Sequence, residues 1–286
     1  MEFYHLRSFV AVAQTGNLTQ AAKRLYTTPP AISAHIKTLE EELATPLFVR
    51  SSKGMSLTAK GQLLLQKAQL TLDTAVDLVN LAADNQHEIM GTFHLGINQP
   101  AKNLRLATLA EKILEDSPGI CLDIHPKSTG NIIEEIRNQT LDGGYIYGEV
   151  PEDFIGFPVM KQQMTTIAPI DLAIDSTLTI TQLRKLQWIK MGDYCPFDGF
   201  LNKKLGNNIP SVIKSHNDGT RLELVRSGLG LSFFELEDAV IAEKEHSVTI
   251  IPSLDFTATL QFVISQKREK EPVISAFTNQ IKSLWS

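Results

Sequence analysis

Apolar positions near the start of the chain recur at helical spacing. Leu6, Phe9, Val10 and Ala13 fall at i, i+3, i+4 and i+7, which predicts an amphipathic helix over residues 4–15 ended by Thr15-Gly16. A short second helix follows, capped by Asn17 or Thr19, with Ala21, Ala22 and Leu25 turned inward; side chains that small let another helix cross closely. Thr28-Pro29-Pro30 is a strong start for a third helix. The hydroxyl accepts a free backbone N–H, and the prolines occupy the first turn, where their missing N–H groups cost nothing. This helix runs to about Glu42, with Ile32, Ile36, Leu39 and Leu43 spaced for burial and Pro30, Ser33, Ala34 and Lys37 left outward. Two strand-like runs, 46–50 and 55–58, then flank Ser51-Ser52-Lys53-Gly54 and predict a hairpin with a basic tip. The pattern is a helix-turn-helix followed by a wing.

The outward face of the third helix fits the major groove of DNA. Small side chains let a helix sit deep there; Ser bonds donors or acceptors, Ala and Pro touch a thymine methyl, and Lys reaches a phosphate or a guanine edge. Thr28, Pro29, Pro30, Ser33, Ala34 and Lys37 form the candidate reading surface, with Arg50 and Lys53 of the wing laid along the phosphates. An ordinary solvated face is the alternative, and charge tilts the choice modestly. Residues 1–60 carry seven basic and four acidic side chains, a net +3 that leaves -8 on the rest of a chain at -5 overall.

From Thr58, a reasonable cap, to about Asn85 the only helix-weakening residue is Gly61, so a long helix is expected. Leu65, Ala68, Leu72, Ala75, Val79 and Ala82 alternate at spacings of three and four, a heptad seam that needs a partner. Burial against the chain's own body is the alternative. A helix that links two domains has little body beside it, so self-association is the expectation.

Beyond residue 91 strand-like and helical stretches alternate: 92–97, 104–114, 120–124, 132–138 and 144–147 read strand, helix, strand, helix, strand, which predicts a parallel sheet. A second unit starts near Met164 and returns to the first near Val263, with 274–284 as a closing helix. Ligands bind such sheets beyond the carboxyl ends of the strands. The candidate walls are Asn98-Gln99-Pro100, Lys127-Ser128-Thr129, the 192–196 loop with Cys195, and Ser215-His216-Asn217. Each is a loop meeting a helix start, where free N–H groups favour polar or anionic ligands. Ser128 and Thr129 serve equally well as plain caps, and His216 as a hydrogen-bonded loop histidine. Asp193 would repel a carboxylate if it faced the cleft.

At 286 residues the chain exceeds one compact core, and 43% hydrophobic with 21% charged residues is an ordinary globular composition. No apolar run approaches the ~20 residues of a membrane span, and the first residues lack the order of a secretory signal, so a cytoplasmic protein without a membrane partner is expected. Cys121, read as a strand core residue, and Cys195 form no disulfide framework. No phosphate loop, nucleophile elbow or metal-ligand spacing is present, so no catalytic residue, cofactor or metal is expected.

The chain resembles the LysR-type transcriptional regulators. The matching residues are 9–13, Gly16 to Ala22, Leu25, Pro30-Ala31-Ile32-Ser33, Ile36, Leu39-Glu40, Leu43, Pro46-Leu47-Phe48, Arg50 and Leu57 to Gly61; farther on, Leu95-Gly96-Ile97, Ser117 to Ile120 and Leu141 to Gly144 match the effector domain. Pro29 stands where the family often has Gln, Ala34 where a longer polar side chain is common, and Ala44 where Gly is usual. The resemblance implies an α/β protein with an N-terminal, largely helical winged helix-turn-helix and a C-terminal two-lobed domain of the periplasmic-binding-protein kind. The expected division is 1–60 for DNA, 61–90 for the dimerising linker helix and 91–286 for the effector, with lobe one about 91–161 and 265–286 and lobe two about 162–264. It implies a regulator that binds double-stranded promoter DNA as a homodimer or homotetramer, responds to a small molecule held between the lobes, and meets RNA polymerase if it activates.

Overall fold

The computed structural model describes residues 1–51, 54–82, 89–172, 178–192 and 195–286. The chain forms two compact units, one of 1–92 with 114–121 and 271–273, the other of 93–113, 122–270 and 274–286.

In the first unit, α1 (Phe3–Thr15), α2 (Leu18–Arg24) and α3 (Pro29–Glu42) enclose a core of Phe9, Val12, Ala21, Ile32, Ile36, Leu39 and Leu47. Asn17 caps α2, accepting from the N–H groups of Thr19 and Gln20, and Thr28 caps α3, accepting from Ala31. Leu43 is not buried as its spacing suggests: it lies past the last turn of α3 and is 39% exposed. The next residue, Ala44, turns the chain at φ +49°.

The wing is an antiparallel pair, β1 (Phe48–Ser51) and β2 (Gly54–Leu57), with Phe48 opposite Leu57 and Arg50 opposite Met55. It rests on the end of α1, where Met55 N–H donates to the Gly16 carbonyl at 2.9 Å. The linker helix α4 (Ala59–Asn80) starts on Thr58, whose hydroxyl accepts from Gly61 N–H at 2.8 Å and donates to the Pro46 carbonyl at 2.9 Å. Gly61 is required by close approach, since a Cβ there would stand 2.2 Å from the Leu47 carbonyl oxygen.

The predicted seam of α4 divides. Ala68 is buried in the winged core, with Leu65 and Leu72 packed against it, while Val79 and Ala82 are exposed beside Leu78 and Leu81. The first four turns of the helix do have a body beside them, the core around α1, and that body takes the apolar face. Residues 83–85, to which the helix was expected to reach, lie outside the described residues.

The second unit is built on a six-stranded sheet in the order β4-β3-β5-β10-β6-β9. Its first part alternates β3 (Gly91–Ile97), α5 (Leu106–Asp116), β4 (Ile120–Pro126), α6 (Thr129–Arg137) and β5 (Gly143–Tyr147), with β3 and β5 parallel. The long β6 (Phe154–Pro169) then carries the chain into α7 (Ile180–Leu183), β7 (Ile189–Lys190), α8 (Pro196–Leu205), β8 (Ile213–Lys214), α9 (Asp218–Arg226), β9 (Ser232–Glu235) and α10 (Leu236–Lys244). The equally long β10 (Val248–Ser265) returns to pair antiparallel with both β5 and β6, and α11 (Pro272–Trp285) closes the fold. The sheet is therefore mixed rather than parallel, because the returning strand runs against its neighbours.

Phe93 stacks on Phe277 at 3.7 Å in the core at one end of this sheet, and Ile167, Val225, Phe234, Ala239 and Val248 pack the other. Cys121 is exposed, contrary to the expectation of a core position: on the edge strand β4 Ile120 points in and Cys121 out.

Candidate functional site

Pro29, Pro30, Ala34 and Lys37 lie exposed along α3, with Thr28 exposed at its cap and Ser33 half-buried. They share a surface because Ile32, Ile36 and Leu39 turn the opposite face into the core. Among the described residues Lys37 carries a loose pair with Glu41 at 3.6 Å, one turn on, and stays 75% exposed. Arg50 extends from β1 toward the helix, its guanidinium donating to the Ser33 hydroxyl at 3.4 Å. Lys53 lies outside the described residues. Sequence reasoning passed over Tyr26, fully exposed at φ +52° in the turn between α2 and α3.

The residues expected to bind an effector come together. Asn98, Gln99, Ser128, Thr129, Cys195, His216 and Asn217 all line one cavity of about 610 Å³ in the second unit, a size suited to a small organic molecule. The starts of four helices reach it: Ser128 caps α6, Asn217 caps α9, Cys195 precedes Pro196 of α8, and Glu235 leads into α10. Asp193 and Tyr194, between Gly192 and Cys195, lie outside the described residues.

The cations at this cavity are already paired. Arg221, 3% exposed, forms an ion pair with Asp218 at 2.6 Å and donates to Ser232 Oγ and the Phe233 carbonyl. Lys127 pairs with Glu135 at 2.7 Å. The acids are less well matched. Burial first, then the charge of Asp238, pushes Glu235 from its ordinary 4.5 up to about 7, and burial together with Asp218 and Glu237 raises Asp238. Burial and the neighbouring Glu235 and Asp218 also push the Tyr147 hydroxyl upward, and burial holds the Cys195 thiol at about 11.

Two buried acceptors on the wall are unmatched among the described residues. Asn98 donates through Nδ2 to Thr129 Oγ1 at 3.1 Å, yet its Oδ1 accepts nothing; Glu235 Oε2 takes a long contact from Asn103 at 3.4 Å, and its Oε1 accepts nothing. Thr129 Oγ1 is filled as an acceptor, since it also receives Tyr147 N–H at 3.2 Å. Glu235, Asp238 and Arg221 escaped the sequence reading because 130 or so residues separate them from Asn98 in the chain.

A third grouping lies away from the cavity lining. His94 of β3 and Asp123 and His125 of β4 bring three potential metal-ligand atoms within 4.8 Å of one another. Spacing along the chain hides this grouping, which only strand pairing assembles.

Two family profiles match the chain: "Bacterial regulatory helix-turn-helix protein, lysR family" over residues 3–62 and "LysR substrate binding domain" over residues 86–286. The HTH-type transcriptional regulator CzcR of Bacillus anthracis is 31% identical over 236 residues, covering 81% of this chain and 79% of that one. A protein named "Probable RuBisCO transcriptional regulator" from Trichormus variabilis is 26% identical over 294 residues, 96% of this chain and 86% of the other. The crystal structure of full-length CbnR with target DNA matches with a TM-score of 0.62 at 18% identity, covering 99% of both chains, a likeness of fold. With a helix-turn-helix profile over residues 3–62 and a substrate-binding-domain profile over residues 86–286, the chain belongs to the LysR family of DNA-binding transcriptional regulators.

Proposed function

We propose that the α3 face made by Thr28, Pro29, Pro30, Ser33, Ala34 and Lys37 reads promoter DNA in the major groove while Arg50 and Lys53 hold the flanking backbone, and that a small polar effector in the 610 Å³ cavity governs the reading. The division of labour is 1–60 for DNA, 61–90 for pairing and 91–286 for sensing, with no catalytic step and a cytoplasmic setting. The single observation that carries the effector reading is the convergence of Asn98, Gln99, Ser128, Thr129, Cys195, His216 and Asn217 on one cavity with two unmatched acceptors. A ligand that brings hydrogen-bond donors answers Asn98 Oδ1 and Glu235 Oε1; unpaired buried acceptors cost roughly 1–3 kcal/mol each, so satisfying them favours binding. Two of the four helix starts, those of α9 and α10, already carry Asp218, Glu235 and Asp238, which weakens the case for an anionic ligand there.

Two copies pair through the exposed part of α4 around Val79 and Ala82, as a homodimer that can assemble further into a tetramer. Effector binding changes how the paired winged domains are held, and contact with RNA polymerase follows if the protein activates. Linkage then requires operator DNA to shift effector affinity by the same factor as effector shifts DNA affinity, typically ~1–3 kcal/mol.

The test is a thermal-shift screen of small polar molecules on the full chain, followed by titration of the hit with and without operator DNA and after Asn98→Ala and Ser128→Ala. A bound ligand raises the melting temperature by mass action. Loss of binding in Asn98→Ala and a matching operator-dependent shift support the reading. Normal binding by both variants places the ligand elsewhere, and tight binding indifferent to operator removes the coupling.

A further inference from the structure

We propose that His94, Asp123 and His125 form a binding site for a divalent first-row transition metal, of which zinc is the natural probe. Asp123 and His125 are two residues apart on β4, so the pleat puts both side chains on one face of the sheet; His94 projects beside them from the neighbouring strand β3. His94 Nδ1 stands 3.3 Å and His125 Nε2 3.1 Å from the same Asp123 oxygen, with the two imidazole rings 5.8 Å apart between centroids. Zinc held at about 2.0–2.1 Å by nitrogen and oxygen in a tetrahedron sets its ligand atoms roughly 3.3 Å apart. Two of the three edges already have that length.

The donor types match as well. Two imidazoles and one carboxylate suit zinc, nickel, cobalt or iron(II) and do not suit calcium or magnesium, which take oxygen ligands. Simple hydrogen bonding between the carboxylate and two imidazoles is the competing account of the cluster. It accounts for half of the cluster, since His94 Nδ1 hydrogen-bonds the carboxylate, but not for His125 Nε2, which is buried within 3.1 Å of the same oxygen yet is not aligned to hydrogen-bond it or any other described residue. The side chains are 19%, 51% and 35% exposed for His94, Asp123 and His125, so solvent reaches the cluster from the Asp123 side and water can supply a fourth ligand. The scaffold beneath is firm: His94 N–H donates to the buried Asp142 carboxylate at 2.7 Å, which also holds Arg268 at 2.8 Å. A bound ion would clamp the edge strand β4 to β3. β4 runs directly into Pro126 to Thr129, a wall of the cavity, so occupancy would stiffen that wall.

The inference stands apart from the effector reading. Its test is calorimetric titration of the chelator-stripped full chain with zinc sulfate, beside His94→Ala, His125→Ala and Asp123→Asn. One site per chain is expected, weakened on the order of tenfold or more in each variant, with circular dichroism showing that each remains folded. Cobalt(II) in place of zinc should give the intense visible bands of a tetrahedral centre. Anomalous scattering at the zinc edge from crystals of the unaltered protein then locates the ion without any substitution. A zinc signal between the three side chains supports the site. An unaltered chain that takes up no zinc, variants that bind as tightly as it does, or an anomalous peak elsewhere overturns it.

Discussion

Arg50 and Ser33 are joined across the gap between wing and helix, the guanidinium Nη2 donating to the hydroxyl at 3.4 Å. The contact is long and exposed, so its strength is small, but it ties a residue assigned to phosphate with one assigned to base edges. Arg50→Ala should therefore do two things. It should flatten the salt dependence of operator binding by about one unit, as for one lost phosphate contact, and it should alter the ranking of operators by freeing the Ser33 hydroxyl. Fluorescence anisotropy over a salt series on several related operators measures both. A changed slope with an unchanged ranking would confine Arg50 to the backbone.

Ala44 occupies a left-handed turn at φ +49° after α3, exposed to solvent. That conformation costs an L-residue with a Cβ about 1–2 kcal/mol, and glycine returns part of the gain as unfolded-state entropy. Ala44→Gly should stabilise the winged unit by about 0.5–1 kcal/mol, read as a higher denaturation midpoint at unchanged slope. A lower midpoint would mean that the methyl group makes contacts worth more than the strain.

Glu235 gives the cavity a pH dependence whose sign is fixed. Its carboxyl is raised from 4.5 to about 7 chiefly by burial, so the folded state holds its proton more tightly than the unfolded chain. The resulting stability is full below about pH 4.5 and is lost as pH rises through 7. Glu235→Gln removes the titrating group and should make the chain relatively more stable at pH 8 than at pH 5. Asp238, also raised, leaves a residual slope. Melting temperatures of both proteins from pH 5 to 8 decide it, and parallel curves would show that water reaches Glu235 freely.

The two ends of α4 should answer differently to charge. Leu72 packs against the winged core and Val79 is 68% exposed. Leu72→Glu should lower the melting temperature of the N-terminal unit, because a buried carboxylate without a partner is costly. Val79→Glu should leave melting nearly unchanged and shift sedimentation from dimer to monomer. A Val79→Glu protein that remains fully dimeric would move pairing away from the exposed end of the helix.

The winged unit was legible almost residue by residue, since its signals are local: Asn17 and Thr28 cap where side chain and backbone sit within three positions, and Ile32, Ile36 and Leu39 carry their own period. The cavity walls at Asn98, Ser128, His216 and Asn217 were legible because each is a loop before a helix in an alternating fold. What escaped depends on distant pairing. Leu65 and Leu72 follow a heptad spacing that cannot say which body covers them, and Cys121 sits in an apolar-looking run whose edge position only the strand order reveals. Glu235 and the His94, Asp123 and His125 cluster are products of topology, with no trace in local spacing.

The long strands β6 and β10 run side by side through the second unit, paired from Val248 with Pro169 at one end to Ser265 with Phe154 at the other, and interrupted in register between Ile251 and Phe256 and again between Leu260 and Gln261. Two loose tethers would let the halves swing apart; a laddered ribbon resists separation and yields most easily in twist. The irregular steps are where torsion concentrates, because there the ladder lacks rungs. A twist imposed on the second unit would therefore gather at these two steps, like torsion wound into an elastic band, and leave the regular stretches of the ladder between them the stiffer part.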